Sequence, residues 1–250
     1  MTLVLLLILA WSTSLRAQSP DDTGRLVQLE RAVSLTPGDW RAWKALGTLS
    51  TSTGRLERAW QALSRACELA PNDEEACYFF ARNLHFAGQY EAARDPFEKA
   101  LRAAPKQILS RVHRAVALNF SALSMSAEAE FHFRKAIELT PHASPGGEDP
   151  KIDFGAFLFR QGRTEEALGP LEKAVQAAPA SSRANTELGR VLLHTGKLDA
   201  AAAHLERAVA ADPGNWNAHL LLGSAYLRLG RTEDGDREMR LGQEGWARKK

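Results

Sequence analysis

Residues Thr36–Gly47, with the sequence TPGDWRAWKALG, and residues Asp212–Gly223, with the sequence DPGNWNAHLLLG, are near copies of one another. Each copy has Pro-Gly, a short polar residue, Trp and a closing Gly at the same places. Prolines recur from one copy to the other at intervals of 34, 34, 36, 38 and 34 residues, at Pro37, Pro71, Pro105, Pro141, Pro179 and Pro213. A nearly fixed period of this size predicts an array of stacked structural repeats.

Other residue types keep the same period. A small residue recurs before each expected turn, at Gly47, Ala81, Gly155, Gly189 and Gly223, and a glycine follows seven residues later, at Gly54, Gly88, Gly162, Gly196 and Gly230. After that glycine, Ala59, Leu63 and Ala66 are spaced 0, 4 and 7 residues apart, which places them on one side of a helix. Each unit is therefore predicted to be a helix, a tight turn, a second helix and a closing proline.

The repeated Pro-Gly phrase is predicted to be the joint between units. The proline cannot continue the preceding helix. Asp39 and Asn215 follow it and are favourable N-cap residues for the next helix.

The pattern resembles the tetratricopeptide repeat. The match in the first full unit is Trp43, Leu46, Gly47, Gly54, Ala59, Leu63, Ala66 and Pro71, and in the fifth it is Leu188, Gly189, Gly196, Ala201, Leu205, Ala208 and Pro213. The resemblance covers about residues 21–245. It implies an all-α fold, a right-handed superhelical solenoid of antiparallel helix pairs, whose concave groove binds peptides or proteins.

The predicted organisation is a single solenoid over residues 18–250, with a capping helix at 21–36. The repeats are expected at about 39–71, 73–105, 107–141, 148–179, 181–213 and 215–245. In the third repeat Ser124 stands in place of the turn glycine, and either Ala115 or Ala117 is its small residue. Because Pro96 and Pro170 lie inside second helices, we expect a kink or a late helix start at each. An exposed loop is expected near residues 142–150.

The N-terminus carries a different signal. Leu3–Trp11 is uninterrupted apolar sequence, followed by small and polar residues. We interpret residues 1–17 as a secretory signal peptide cleaved after Ala17, which predicts a periplasmic or extracellular protein. The run is too short for a membrane span, so none is expected after cleavage. An uncleaved anchor and a misassigned start are the alternatives.

Cys67 and Cys77 are the two cysteines of the chain. An exported protein can join such a pair in a disulfide. We favour two unpaired, small buried residues, because the sequence does not supply the Cα separation that a disulfide requires.

The chain lacks the signatures of common enzymes and metal sites, including G-x-S-x-G, H-E-x-x-H, a Walker loop and a C-x-x-C-H haem site. We therefore expect no catalytic activity, no cofactor and no metal. The net charge of +2 gives no support to nucleic acid as a partner.

The implied groove is lined by the first helix of each repeat. The positions predicted to face it include nine Lys or Arg residues and two acidic residues. Our candidate binding residues are Arg41, Lys44, Tyr78, Arg82, His85, Phe86, Arg111, Arg114, Phe159, Arg190 and Arg228. The hypothesis is that Arg side chains bind carboxylates in pairs of hydrogen bonds while aromatic residues anchor apolar groups. The alternative is an ordinary solvated helix face with a chance excess of positive charge.

The sequence thus predicts a non-catalytic scaffold that binds a peptide or protein of unknown identity, and the basic groove positions favour an acidic one. The alternative is an accessory subunit of a cell-envelope assembly, in pilus or outer-membrane biogenesis. An enzyme is a remote alternative, and the oligomeric state is left open.

Overall fold

The computed structural model describes residues 20–140 and 149–248, in which thirteen helices and no strand occur. They form two compact units with a boundary between Leu139 and Thr140. The first unit contains α1 (Pro20–Leu35), α2 (Trp40–Ser52), α3 (Leu56–Leu69), α4 (Glu74–Phe86), α5 (Arg94–Ala103), α6 (Lys106–Ala122) and α7 (Ser126–Glu138). The second contains α8 (Pro150–Arg160), α9 (Thr164–Ala177), α10 (Ser182–His194), α11 (Leu198–Ala211), α12 (Trp216–Arg228) and α13 (Thr232–Ala247). The prediction of an all-α protein is confirmed.

The predicted signal peptide lies outside the described residues. So does most of the predicted loop at 142–150, although Asp149 caps α8 and Pro150 begins it. Within the described ranges, no helix combines the length and the apolar character needed to cross a membrane.

The joints between repeats form as the sequence predicts. Asp39 caps α2 by accepting hydrogen bonds from the backbone of Arg41 and Ala42, and Asn215 caps α12 through the backbone of Ala218. Within each pair, the chain turns at a residue with positive φ, such as Gly54 at 74°. Ser124 takes this place in the third repeat with a φ of 60°, so the repeat pattern holds there without a glycine.

This alignment identifies the small residue of the third repeat. Ala117, seven residues before Ser124, is fully buried, whereas Ala115 is half-buried. The two extra residues of this repeat lie between Pro105 and Ser124 and lengthen its first helix, α6. This helix also begins directly after the proline, so it has 17 residues where α2 has 13.

The two prolines inside second helices have different effects. α5 begins only at Arg94, after a turn at residues 90–93, so the late helix start predicted at Pro96 is confirmed. This start places Pro96 in the first turn, where backbone N–H groups lack helical partners in any case. α9 begins at Thr164 and continues through Pro170, so no late start occurs there.

The two helices of each repeat are in close contact at the small residue. A Cβ atom added to Gly47 would lie 2.5 Å from Cγ of Leu63, and one added to Gly189 would lie 2.6 Å from Cγ of Leu205. Both leucines are fully buried. The absence of a side chain at Gly47 and Gly189 therefore allows the two helices to approach.

Cys67 and Cys77 form a disulfide, which corrects our preference for unpaired thiols. Cys67 lies near the end of α3 and Cys77 in the first turn of α4, with a Cα separation of 4.7 Å. The short joint at Ala70–Asp73 folds the end of one repeat against the start of the next. That proximity arises from the turn and is not visible in the spacing of the two residues.

Three repeats use a side chain of the first helix to bind the proline that closes the preceding repeat. Nε1 of Trp43 donates a hydrogen bond to the carbonyl oxygen of Pro37 at 2.9 Å, and Nδ2 of Asn185 donates to that of Pro179 at 2.8 Å. Nε2 of His219 lies 3.1 Å from the carbonyl oxygen of Pro213. The binding side chain follows its proline by six residues each time, so this contact is part of the repeat.

A pair of histidines stands at the corresponding place in the third repeat. Nδ1 of His113 on α6 lies 2.8 Å from Nδ1 of His132 on α7. One nitrogen must donate and the other accept, so the contact requires at least one neutral imidazole. Burial and the neighbouring His113 lower the pKa of His132 to about 4. Burial and Lys135 lower the pKa of His113, while Glu138 raises it.

We predict that Gly189→Ala lowers the stability of the protein by about 1–3 kcal/mol, because the added methyl group overlaps Leu205. The matched control is the exposed Gly24→Ala in α1, where an added Cβ meets nothing within 4 Å. The control should raise stability by about 0.5–1 kcal/mol through helix propensity. Urea and thermal denaturation of the full chain measure both changes, and equal effects would contradict the packing argument.

We predict that the protein loses stability as the pH falls from about 6.5 towards 4. Since the pKa of His132 is lower in the folded state, the unfolded chain takes up the proton first, and stability rises with pH across this window. Thermal denaturation between pH 4 and pH 7 measures the slope. The slope should become shallower in His132→Gln and stay as it is in His194→Gln, whose histidine is exposed on α10.

Candidate functional site

The candidate binding residues all lie on first helices of the repeats, and each compact unit has its own set. The first unit carries Arg41, Lys44, Tyr78, Arg82, His85, Phe86, Arg111 and Arg114 on α2, α4 and α6. The second unit carries Phe159, Arg190 and Arg228 on α8, α10 and α12. Their contacts show which of them are held by intramolecular partners and which are open to a ligand.

Lys44 is held between two neighbouring repeats. Its Nζ lies 3.3 Å from each carboxylate oxygen of Asp73 and 3.1 Å from Oε2 of Glu75. Asp73 also caps α4, because its Oδ1 accepts a hydrogen bond from the backbone N–H of Ala76 at 2.8 Å. The charge of Lys44 is therefore compensated within the protein, and a ligand carboxylate would have to compete with two acidic side chains.

Aromatic and guanidinium groups alternate along α4 and continue onto α6. Tyr78, Arg82 and Phe86 follow one another at four-residue spacing, so they lie along one side of α4. Cζ of Arg82 is 5.5 Å from the centre of the Phe86 ring, and Cζ of Arg111 on α6 is 4.8 Å from the centre of the Tyr78 ring. We call these four residues the α4 strip.

Exposure differs sharply along the α4 strip. Phe86 is 53% exposed and Arg82 is exposed, whereas Tyr78 is only 3% exposed. Phe86 is therefore the apolar group that a ligand reaches, and Tyr78 serves as the platform on which Arg111 lies.

Arg111 has an unused hydrogen-bonding edge. Its Nε and Nη2 atoms are buried and have no hydrogen-bond partner among the described residues. Arg58 in the same unit uses this edge to bind both carboxylate oxygens of Glu30, with an Nε to Oε1 distance of 2.7 Å. A buried donor without an acceptor costs about 1–3 kcal/mol. The edge is closed to a ligand in this conformation, so a carboxylate reaches it only after the Arg111 side chain moves.

His85 links the second and third repeats. Its Nδ1 lies 3.1 Å from Oδ1 of Asn119, and Nδ2 of Asn119 donates to the carbonyl oxygen of Tyr90 at 2.9 Å. Burial lowers the pKa of His85, and the hydrogen bond to Asn119 opposes part of that shift. The imidazole is thus a neutral structural link at neutral pH.

Two further candidates of the first unit differ in exposure. Arg41 is exposed on α2, with its Cζ 4.4 Å from the centre of the Trp40 ring. Arg114 is half-buried on α6.

The candidates of the second unit contact neighbouring side chains or backbone. Nη1 of Arg228 donates to the carbonyl oxygen of Leu193 at 2.7 Å, near the end of α10. Nε of Arg190 donates to Oε2 of Glu187 at 3.1 Å, and the ring of Phe159 lies edge-on to that of His194 at 5.2 Å. The first unit therefore presents the more open site.

The sequence pattern did not indicate the residues that join neighbouring first helices. Oδ1 of Asn83 accepts a hydrogen bond from Oγ1 of Thr51 at 3.2 Å, and Asn119 plays the same part towards His85. Asn83 and Asn119 occupy the same repeat position. This recurrence becomes visible only when the two extra residues of the third repeat are placed in α6. In the second unit, Arg183 pairs with Asp153, which is 4% exposed.

In the described ranges, no group of three or more His, Cys, Asp or Glu side chains is arranged to hold a metal ion. Two surface grooves in these ranges are lined by α1 with α2 and by the start of α3.

The helix pairs, their glycine turns and their closing prolines define an all-α repeat protein. Models of the tetratricopeptide repeat match residues 27–74, 157–215 and 186–235, and another model of this repeat matches residues 74–107. Because these matches cover more than half of the chain, it belongs to the tetratricopeptide repeat family. The predicted fold class, a solenoid of such helix pairs, is confirmed.

Similar proteins agree with this assignment. Superkiller protein 3 of Schizosaccharomyces pombe is 31% identical over 90 residues, which are 36% of this chain and 6% of that protein. The structure of YrrB, described as a TPR protein with an unusual peptide-binding site, has a TM-score of 0.55 at 22% identity and covers 76% of this chain and 95% of its own. A thermophilic TPR protein from Thermus thermophilus, TTC0263, has a TM-score of 0.60 at 20% identity, with coverage of 75% and 99%. At these identities the two structures support the fold alone.

Proposed function

We propose that this protein is a non-catalytic scaffold that binds an acidic peptide segment of a partner protein on the first helices of its repeats. The family fold is consistent with protein interaction. The observation that carries the acidic preference is the exposed Arg82 beside the exposed ring of Phe86, with the guanidinium of Arg111 on the same strip.

The α4 strip gives the peptide a defined order of contacts. Arg82 supplies an exposed cation one turn from Tyr78, and Arg111 supplies a pair of donors for a carboxylate once its side chain moves to open their edge. Phe86 supplies an exposed apolar ring at the end of the strip. The best ligand is therefore a segment in which acidic and apolar side chains alternate.

Other cations near the α4 strip make smaller contributions to ligand binding. Arg41 is exposed on the neighbouring first helix and adds long-range attraction. Lys44 contributes less, because Asp73 and Glu75 already compensate its charge. Arg114 on α6 provides a secondary contact for the peptide.

We predict that a labelled ten-residue peptide of alternating Glu and Phe binds the full chain, and that its Gln-for-Glu counterpart binds at least about tenfold more weakly. Arg111→Met and Arg82→Glu should each weaken binding of the Glu peptide by about tenfold or more, and the affinity should fall with added salt. Fluorescence anisotropy measures the affinities.

The matched control is Arg65→Gln, which removes an exposed arginine from the second helix α3. Circular dichroism verifies that each variant is folded. Equal binding of the two peptides, or unchanged binding by the two strip variants, would contradict the acidic preference.

Export is the second part of the proposal. The apolar run Leu3–Trp11 is typical of a signal peptide, and the Cys67–Cys77 bond fits an oxidising compartment. Non-reducing mass spectrometry of the native protein should give a chain that begins at Gln18 and is lighter by two hydrogen atoms than the fully reduced chain. A reduced chain that retains Met1 would contradict export.

A further inference from the structure

The first unit contains an open groove beside its first described helix. It has a volume of about 580 Å³ and lies between α1 and α2. Its lining is more apolar than polar and includes Arg25, Leu29, Ala32, Ala45, Thr48 and Leu49. We call it the α1 groove.

The repeat period shows what the α1 groove corresponds to elsewhere in the unit. Leu29 precedes Leu63 by 34 residues, one repeat, so α1 is equivalent to the second helix α3. Leu63 is fully buried beneath Gly47 of α2, whereas Leu29 is only half-buried. Among the described residues, α1 has no first helix to cover it as α2 covers α3.

The other wall of the groove supports the same conclusion. Leu49 on α2 precedes Asn83 on α4 by 34 residues. Asn83 contacts the first helix of the preceding repeat through Thr51. At the equivalent place in the first repeat the side chain is apolar, so Leu49 is suited to the apolar side of a helix rather than to a hydrogen bond. The α1 groove therefore continues the row of first helices formed by α2, α4 and α6.

We propose that the α1 groove binds an amphipathic helix of a partner protein, which completes the unpaired repeat in place of a first helix. The partner helix lies antiparallel to α1. It places a glycine or alanine over Leu29, as Gly47 lies over Leu63, and an apolar residue against Leu49. Its opposite side is polar and faces water.

An amphipathic helix fits this place better than the chain's own N-terminus or a second copy. Leu3–Trp11 is apolar at every position, so a helix of that sequence would expose apolar side chains on the side away from the groove. The first helices of a second copy are already packed against their own second helices.

The test uses a labelled peptide with the sequence of residues 38–54, which contains α2, as a surrogate partner helix. It should bind the full chain in fluorescence anisotropy, and a Gly47→Val version of the peptide should bind at least about tenfold more weakly, because a side chain there collides with the leucine. Equal binding of the two peptides would overturn the proposal.

Two protein variants locate the binding. Ala45→Trp fills the groove from an exposed position without removing a core side chain, and it should abolish binding. Leu29→Asp should do the same, while Val27→Asp, at a 65% exposed position on the same helix, should have no effect. Retained binding in Ala45→Trp would place the peptide elsewhere and overturn the proposal.

A photo-reactive benzoyl-phenylalanine at position 45 separates the possible occupants. Cross-linking to the added peptide, identified by mass spectrometry, supports the proposal. Cross-linking within the chain to residues 1–19, or between two copies when no peptide is present, overturns it in favour of a different occupant. Acidic-peptide binding at the α4 strip is unaffected by these variants, so the two binding sites fail or succeed independently.

Discussion

The close approach of two helices within each repeat is the constraint on which the other features depend. At Gly47 the partner helix is so near that even a methyl group would lie within 2.5 Å of Leu63. In the second repeat, Ala81 stands at that position, and Phe97 takes the place of the leucine in the same core. The small residue and its partner therefore change together, with a leucine opposite Gly47 and a phenylalanine in the core that contains Ala81.

The joint between repeats is fixed at one place by several different chemistries. Trp43, Asn185 and His219 reach the proline carbonyl of the preceding repeat, and Cys77 at the equivalent position forms a covalent bond instead. At these four joints a side chain of the first helix ties the helix start to the end of the preceding repeat, by a hydrogen bond in three cases and by a disulfide in one. In the third repeat His113 at this position contacts His132 of its own second helix instead, so the tie is not needed at every joint.

Backbone geometry and side-chain pairing differ in how far the sequence reveals them. The prolines, the turn glycines and the small residues have positions dictated by backbone geometry, so their period reveals the fold, the caps and the late start of α5. Side-chain pairing follows from distances between helices, which a linear pattern does not contain. Lys44 therefore looked like a free cation although it contacts Asp73 and Glu75, and Cys67 looked like a core residue although it is bonded to Cys77. Phe86 is exposed but Tyr78, two turns earlier on the same side of α4, is buried, so spacing alone does not determine exposure.

The bond between Cys67 and Cys77 has a mechanical consequence. Arrays of this kind open from their ends, because a terminal repeat has only one neighbour. A force applied at the N-terminus would peel away α1, α2 and most of α3 and then meet a covalent link to α4. The load would pass directly through the two sulfur atoms, and residues 68–76 would stay slack. The joint between the first two repeats is thus bypassed by the load, which reaches α4 at Cys77.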